Sequence, residues 1–278
     1  MANAIIFTDL DGSLLHPKTY SFEEARPALN LMRKKGIPLI LCSSKTRAEM
    51  EVYRKKLDNE HPFISENGGG IFIPKGYFPS VPSTLTGFMP GWVEGQGEGE
   101  YRTIIIGSPY AEIRKAFVAL RDEMKIPVNG FGDMTAREVA AISGLAEEEA
   151  ILAKQRDFGE PFVFEEDSDE NFLKAIEERG LHWTQGRFFH IMGDNDKGKA
   201  VKILKHLYGK VFGESVTIGL GDGFNDLPML KEVDYPVLIQ KEDGSYDSRI
   251  ELPNLTKAKK IGPSAWNEEV LEVLGRQG

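Results

Sequence analysis

The chain carries a single cysteine, Cys42, which excludes a disulfide framework and any paired-thiolate metal site. Cys42 lies in the apolar run "IPLILC" and is expected as a small buried hydrophobe. Histidine is also scarce, five in 278 residues, and none stands in an HExxH or similar zinc spacing. No apolar run reaches the roughly 18 residues that a membrane-spanning helix needs. Neither a signal peptide nor a lipidation motif is visible, so a cytoplasmic protein is expected. No repeat with a period of about 20–50 residues is found. Positive charge is in deficit: 34 Lys and Arg face 43 Asp and Glu, for a net charge of −9 and a pI near 5.2. That balance argues against a nucleic-acid partner and against an anionic membrane. An anionic substrate would have to be met by local cations or a metal.

What is present is an ordinary globular composition, 41% hydrophobic and 28% charged, in a chain long enough to bury a sizeable core. Short apolar runs alternate with helical patterns. "AIIF" (4–7) predicts a buried strand and "FEEARPALNLMRKKG" (22–36) an amphipathic helix ended by Gly36. Strand 37–42, helix 45–57 and strand 62–65 follow, the last running into "ENGGG" (66–70). This alternation is the signature of a doubly wound, Rossmann-like parallel α/β sheet. Then "GWVEGQGEGE" (91–100), glycine-rich, acidic and aperiodic, predicts a mobile connection. After it a second pattern runs from a strand at 102–106 to a hairpin-like pair at 181–192, an α+β unit of its own. Helix 197–209, strand 215–220, "GDGFND" (221–226) and strand 235–239 then resume the parallel pattern. The expected division is a core of 1–85 and 193–278 with an inserted α+β domain at 86–192.

In open parallel sheets ligands bind beyond the carboxyl ends of the strands. The residues just after each core strand are Asp9 and Asp11, Ser43, Glu66-Asn67-Gly68, and Asp222, Asn225 and Asp226. Any one cluster could be turn chemistry. Together they bring five carboxylates to one edge and call for a counter-charge. A hard cation with oxygen ligands fits, Mg²⁺ first, held by Asp9, Asp11 and Asp222. One carboxylate of the Asp9/Asp11 pair can attack an electrophile, while the other protonates the leaving alcohol and later activates water. On a phosphoryl group, Mg²⁺, the Ser43 hydroxyl and Lys197 at a helix N-terminus can neutralise the transferred oxygens.

"FTDLDGSLL", the serine after "ILC", Lys197 in "NDKGKA" and "GDGFND" resemble, in order, the four motifs of the haloacid dehalogenase superfamily of phosphohydrolases. The resemblance covers the core on both sides of the insertion. It implies that Asp9 is the nucleophile, Asp11 the general acid/base, Ser43 and Lys197 the phosphoryl contacts, and Asp222 a Mg²⁺ ligand. Ser44 and Lys45 replace the Gly and Arg usual in a related branch, which leaves Lys45 as an extra phosphate or substrate contact. The short Asp11–Ser43 interval and the long Ser43–Lys197 one put the cap after the second motif, as in the type IIB branch. Within the cap, stretches 130–145, 147–162 and 184–201 are similar to the mannosyl-3-phosphoglycerate phosphatase subfamily, as is "GPSAWNEEVLEVL" near the C-terminus. The implied substrate is a phosphorylated sugar–glycerate, and the implied product a compatible solute.

Each residue also has a plainer role. Ser43 serves equally as a helix cap. Asp226 can order the loop by accepting from Lys197 or can touch the metal. Asn67, Gly68 and Gly69 form either a simple turn or a substrate contact beside the metal. Thr135 is an N-cap or a substrate contact. Arg187 suits a substrate carboxylate through its guanidinium, or is an exposed hairpin charge. His190, Phe188, Phe189 and Met192 are expected to pack rather than react. Another sugar phosphate, sucrose- or trehalose-phosphate-like, is the alternative substrate. A phosphomutase and a phosphate-responsive binding module are the competing classes, and the sequence leaves oligomeric state open.

Overall fold

Strand β1 (Ala4–Thr8) is buried along its whole length, as a strand covered on both faces must be. Ala4 and Ile6 face one hydrophobic cluster, while Ile5 and Phe7 face another. The computed structural model describes residues 4–78, 93–95 and 100–276, and puts β1 inside a nine-stranded sheet. On one side β1 pairs in parallel with β2 (Leu39–Cys42), and β2 with β3 (Phe63–Ser65). On the other lie β11 (Val216–Gly221), β12 (Tyr235–Gln240) and β13 (Thr256–Ile261), also parallel. Helices α1 (Arg26–Lys35), α2 (Arg47–Lys56) and α9 (Gly262–Arg276) cover one face. Helices α7 (Lys197–Phe212) and α8 (Leu227–Lys231) cover the other. The doubly wound core expected from the alternating pattern is therefore present.

The sheet continues past β3 with antiparallel strands. Strand β4 (Gly70–Pro74) pairs with β3, β6 (Tyr101–Ile105) with β4, and β5 (Val93–Gly95) with β6. The strand expected at 102–106 as the opening of the inserted unit is thus an edge extension of the core, with Ile104 in a core cluster. Of the connection at 91–100, residues 93–95 form β5, and 91–92 and 96–99 lie outside the described residues. Also unforeseen was β13, whose "TKAKKI" buries only Ala258. A polar edge strand with lysines leaves no apolar alternation to detect.

The inserted unit has its own antiparallel sheet, ordered β7 (Val128–Gly130), β8 (Gly159–Phe164), β10 (Phe189–Met192), β9 (His182–Gln185). Helices α3 (Tyr110–Met124) and α6 (Glu170–Glu178) close its core around Phe117, Phe162 and Phe172. Two short helices, α4 (Ala136–Ser143) and α5 (Glu147–Ala153), pack with Phe131 and Phe188 in a smaller cluster. Helix α5 meets the large sheet's α2, where the Thr46 hydroxyl donates to Leu152 O at 2.9 Å. Among the described residues no helix is long and apolar enough to cross a membrane.

Candidate active site

Asp9 directly follows β1 and its N–H donates to Leu220 O of β11 at 2.9 Å, so the parallel pairing fixes its backbone. Lys197, at the start of α7, is fully buried, with Nζ 2.7 Å from Asp9 Oδ1 and 2.5 Å from Asp226 Oδ1. The other Asp226 oxygen, Oδ2, accepts the N–H groups of Asp222 and Gly223, each at 3.0 Å. Asp226 therefore orders the loop after β11, one of the two roles foreseen for it. Gly12 gives Asp222 its space: at φ +81°, a Cβ there would lie 2.6 Å from Asp222 Oδ2.

Carboxylate oxygens of Asp9, Asp222 and Asp226 come within 4.8 Å of one another. Burial pushes Asp9 up to about 7, against the pull of Lys197, with Asp226 and Asp11 adding to the rise. Burial likewise holds Asp222 well above the usual carboxylate range, helped by Asp226 and Asp9. Burial disfavours the charge on Lys197, yet Asp226 and Asp9 hold its pKa above the ordinary lysine value. One ammonium does not balance this many acids, and the donor set, all carboxylate oxygen, suits a hard divalent cation. Asp11 stands outside the group. Its Oδ2 is 2.9 Å from Lys45 Nζ, and its buried Oδ1 has no hydrogen-bond partner among the described residues.

Lys45 is buried between Asp11 and Glu49 and stacks over the rings of Tyr20 and Tyr53, each 5.4 Å from its centroid. Burial opposes its charge, and Asp11 and Glu49 outweigh that and raise its pKa. Ser43 directly follows β2 and does not cap α2. That cap is Thr46, which with Glu49 forms a reciprocal capping box, and Ser43 Oγ accepts the Lys45 N–H at 3.3 Å. In the turn after β3, Asn67 takes φ +53° and its Oδ1 accepts from Asn225 Nδ2 at 3.2 Å. Gly68 and Gly69 permit close approach: a Cβ would sit 2.0 Å from Asp196 O at the first and 2.4 Å from Phe158 Cβ at the second.

The inserted unit lies against this edge. Glu66 accepts the N–H groups of Asp157 and Phe158 at 2.8 and 3.0 Å, and its Oε2 is 3.1 Å from Arg156 Nη2. Arg156 Nη1 returns to Ser44 O at 3.2 Å. The Tyr20 hydroxyl donates to Ser143 O at 3.2 Å and accepts from Arg187 Nη1 at 3.1 Å, while Arg249 Nη1 donates to Gln185 Oε1 at 2.8 Å. A cavity of about 510 Å³ lies between the two units, lined by Asp9, Asp11, Asp222, Asn225, Ser44 and Arg187 among others. Thr135 does not line it. It caps α4 in a box with Glu138, the plainer of its two roles. Sequence reasoning counted Glu66 in the acidic edge cluster, whereas it is bound to Asp157, Phe158 and Arg156 of the inserted unit, and it missed Tyr20 and Arg156 as junction residues. Their partners are distant in the chain, and no periodicity or spacing marks those contacts.

Residues 6–78 match the profile of the haloacid dehalogenase-like hydrolases. A glucosyl-3-phosphoglycerate/mannosyl-3-phosphoglycerate phosphatase of Methanococcoides burtonii is 47% identical, over 98% of this chain and 97% of its own. One of the same name from Persephonella marina is 43% identical over 97% of both chains. The mannosyl-3-phosphoglycerate phosphatase of Pyrococcus furiosus is 38% identical over 84% of this chain and 90% of its own. The chain belongs to the haloacid dehalogenase superfamily of phosphatases. Within it, the chain is a sugar-phosphate phosphatase like these relatives. In fold it is like a subclass IIB sugar phosphatase (TM-score 0.63, 16% identity, 98% of both chains). It is also like the sucrose-phosphatase of Synechocystis (TM-score 0.60, 12% identity, 99% of this chain and 98% of that one).

Proposed function

We propose that the protein is a Mg²⁺-dependent phosphatase that hydrolyses mannosyl-3-phosphoglycerate to mannosylglycerate and phosphate. The observation that carries this is the single cavity in which Asp9, Asp11 and Asp222 meet Arg187 of the inserted unit. Asp9 and Asp222 would hold the metal, with Asp226 behind them fixing the loop and Lys197. A bound divalent cation neutralises charge on the transferred phosphoryl oxygens. An Asp9 carboxylate oxygen attacks phosphorus, the bond to the glycerate oxygen breaks, and Asp11 gives that oxygen its proton. Asp11 then takes a proton from water as the water oxygen attacks the aspartyl phosphate, which releases phosphate and restores Asp9. Ser43 and Lys197 hold the phosphoryl oxygens.

The segment from α3 to β10 acts as the cap that selects the leaving group, with Ser44, Lys45, Asn67 and Asn225 at the core rim and Arg187 facing the glycerate. The glucosyl analogue is the second reading, supported by the double names of two relatives. The test is a panel of glycosyl-3-phosphoglycerates and other sugar phosphates, assayed with Mg²⁺ and with EDTA. Highest kcat/KM on the mannosyl compound, lost with EDTA, is expected. Preference for a sugar phosphate without a glycerate would overturn the substrate, and full turnover in EDTA the metal.

A further inference from the structure

The β9–β10 hairpin of the inserted unit rests on the loop that carries Asp222. Gly186, at its turn, comes so near that a Cβ there would lie 3.1 Å from Asn225 Oδ1. Trp183 of β9 meets Phe224 of the same loop, with ring centroids 6.4 Å apart and planes tilted by 38°. Arg249, from the segment between β12 and β13, joins hairpin and loop. Its Nη1 donates to Gln185 Oε1 at 2.8 Å, and its guanidinium carbon lies 4.5 Å from the centre of the half-buried Phe224 ring. Its Nε and Nη2 donate to the two oxygens of Asp247 at 2.8 and 2.7 Å. Asp247 is buried, so this fork fixes the guanidinium plane from behind. Asp247 lines the cavity between the units and Arg249 does not. One side chain thus has a rigid base, a stacking contact on the loop of Asp222 and a hydrogen bond to the inserted unit.

We propose that Arg249 is a positioning residue for the metal site: braced on Asp247 and tied to Gln185, it holds Phe224 and with it the 222–226 loop in the shape that presents Asp222 to the cation. The loop's own ties, the Asp222 and Gly223 N–H groups on Asp226 Oδ2, order its two ends, and the Phe224 side chain is covered by Arg249 and Trp183 instead. Seating of the inserted unit and binding of the cation then favour each other, by the same factor in each direction. This assignment rests on the reading of Asp222 as a Mg²⁺ ligand.

Charge and brace predict opposite signs. Arg249→Ala deletes both the stack and the tie, whereas Gln185→Ala deletes the tie alone and changes no charge. By charge alone, loss of a guanidinium near these acids would tighten Mg²⁺ binding, and Gln185→Ala would leave it unaltered. The brace predicts weakening in both. The Kd for Mg²⁺, measured by calorimetry on the substrate-free protein, should rise about 3- to 10-fold in Arg249→Ala and about 2- to 5-fold in Gln185→Ala. The double variant should match Arg249→Ala, because Gln185 acts through Arg249. Hydrogen exchange at residues 222–226 of the metal-free protein should quicken in both single variants, while Tm moves by less than about 3 °C. Unchanged or tighter Mg²⁺ binding in Arg249→Ala, additive losses in the double variant, or unmoved exchange at 222–226 would overturn the proposal. A wild type that binds no Mg²⁺ would sink the metal reading instead, and the exchange rates alone would then decide the brace.

Discussion

Asp9, buried, and Asp222, half-buried, lie within reach of a third acid, Asp226, and among the described residues the ammonium bonded to this group is Lys197, which meets Asp9 and Asp226. Removing one of the charges should therefore relax the metal-free protein. Asp222→Asn is expected to raise its stability by roughly 1 kcal/mol, about 2–4 °C in Tm for a chain of this size. The same substitution should cancel the response to Mg²⁺, which at about 100 times Kd would stabilise the wild type by about 2.7 kcal/mol. Calorimetry of both proteins with and without Mg²⁺ reads both effects, and an equal Mg²⁺ shift in the variant would remove Asp222 from the metal site. Arg187 is different, being exposed and bonded to Tyr20 and Ile142 O. Arg187→Ala should lower kcat/KM for mannosyl-3-phosphoglycerate by about 10-fold, the low end for a charge-assisted hydrogen bond. Hydrolysis of p-nitrophenyl phosphate, which has no carboxylate, should change little.

At the scale of elements, hydrogen bonds between neighbouring segments set much of the local order. His61, between α2 and β3, meets Tyr77 in the turn after β4 through a 2.6 Å contact at Nδ1, and Tyr77 meets Tyr208 of α7 at 2.7 Å. Burial, with a smaller push from Arg54, lowers His61 to about 4 from its ordinary 6.5. The unfolded chain thus binds a proton between pH 6.5 and 4 that the folded chain refuses. Stability present above pH 6.5 should fall by roughly 2–3 kcal/mol as the pH drops to about 4. His61→Asn should flatten that part of the acid limb in urea titrations, and an unchanged slope would assign it to other groups.

For the whole molecule, a cavity lined by both units predicts that they part and meet again during turnover. The Tyr20 hydroxyl bridges from the core to Ser143 O and Arg187, so Tyr20→Phe should loosen closure without touching the acidic cluster. KM for the glycosyl-phosphoglycerate should rise about 3- to 10-fold, with faster hydrogen exchange at residues 141–145. Altered kcat with unchanged KM and exchange would show that Tyr20 does not act through closure.

Much of this was determined by the sequence alone, because the relevant physics is local. Apolar runs buried on both faces specify parallel strands, and polar residues just beyond them fall at one edge, so Asp9, Asp11, Ser43 and Asp222 were legible before any coordinates. Gly36, at φ +64°, ends α1 for a reason visible in its own residue type. The rest was decided by pairing across the chain. Strand β6 joined the core because β4 offered an open edge, and Thr46 capped α2 in place of Ser43 because Glu49 stood three residues on. Asp11 pairs with the buried ammonium of Lys45 and stands outside the three-aspartate group. Glu66 meets Arg156 from 90 positions away, and His190 borders a cavity that exists only when the second sheet rests on the first. Such contacts depend on where two surfaces distant in the chain meet, and no spacing within either records it.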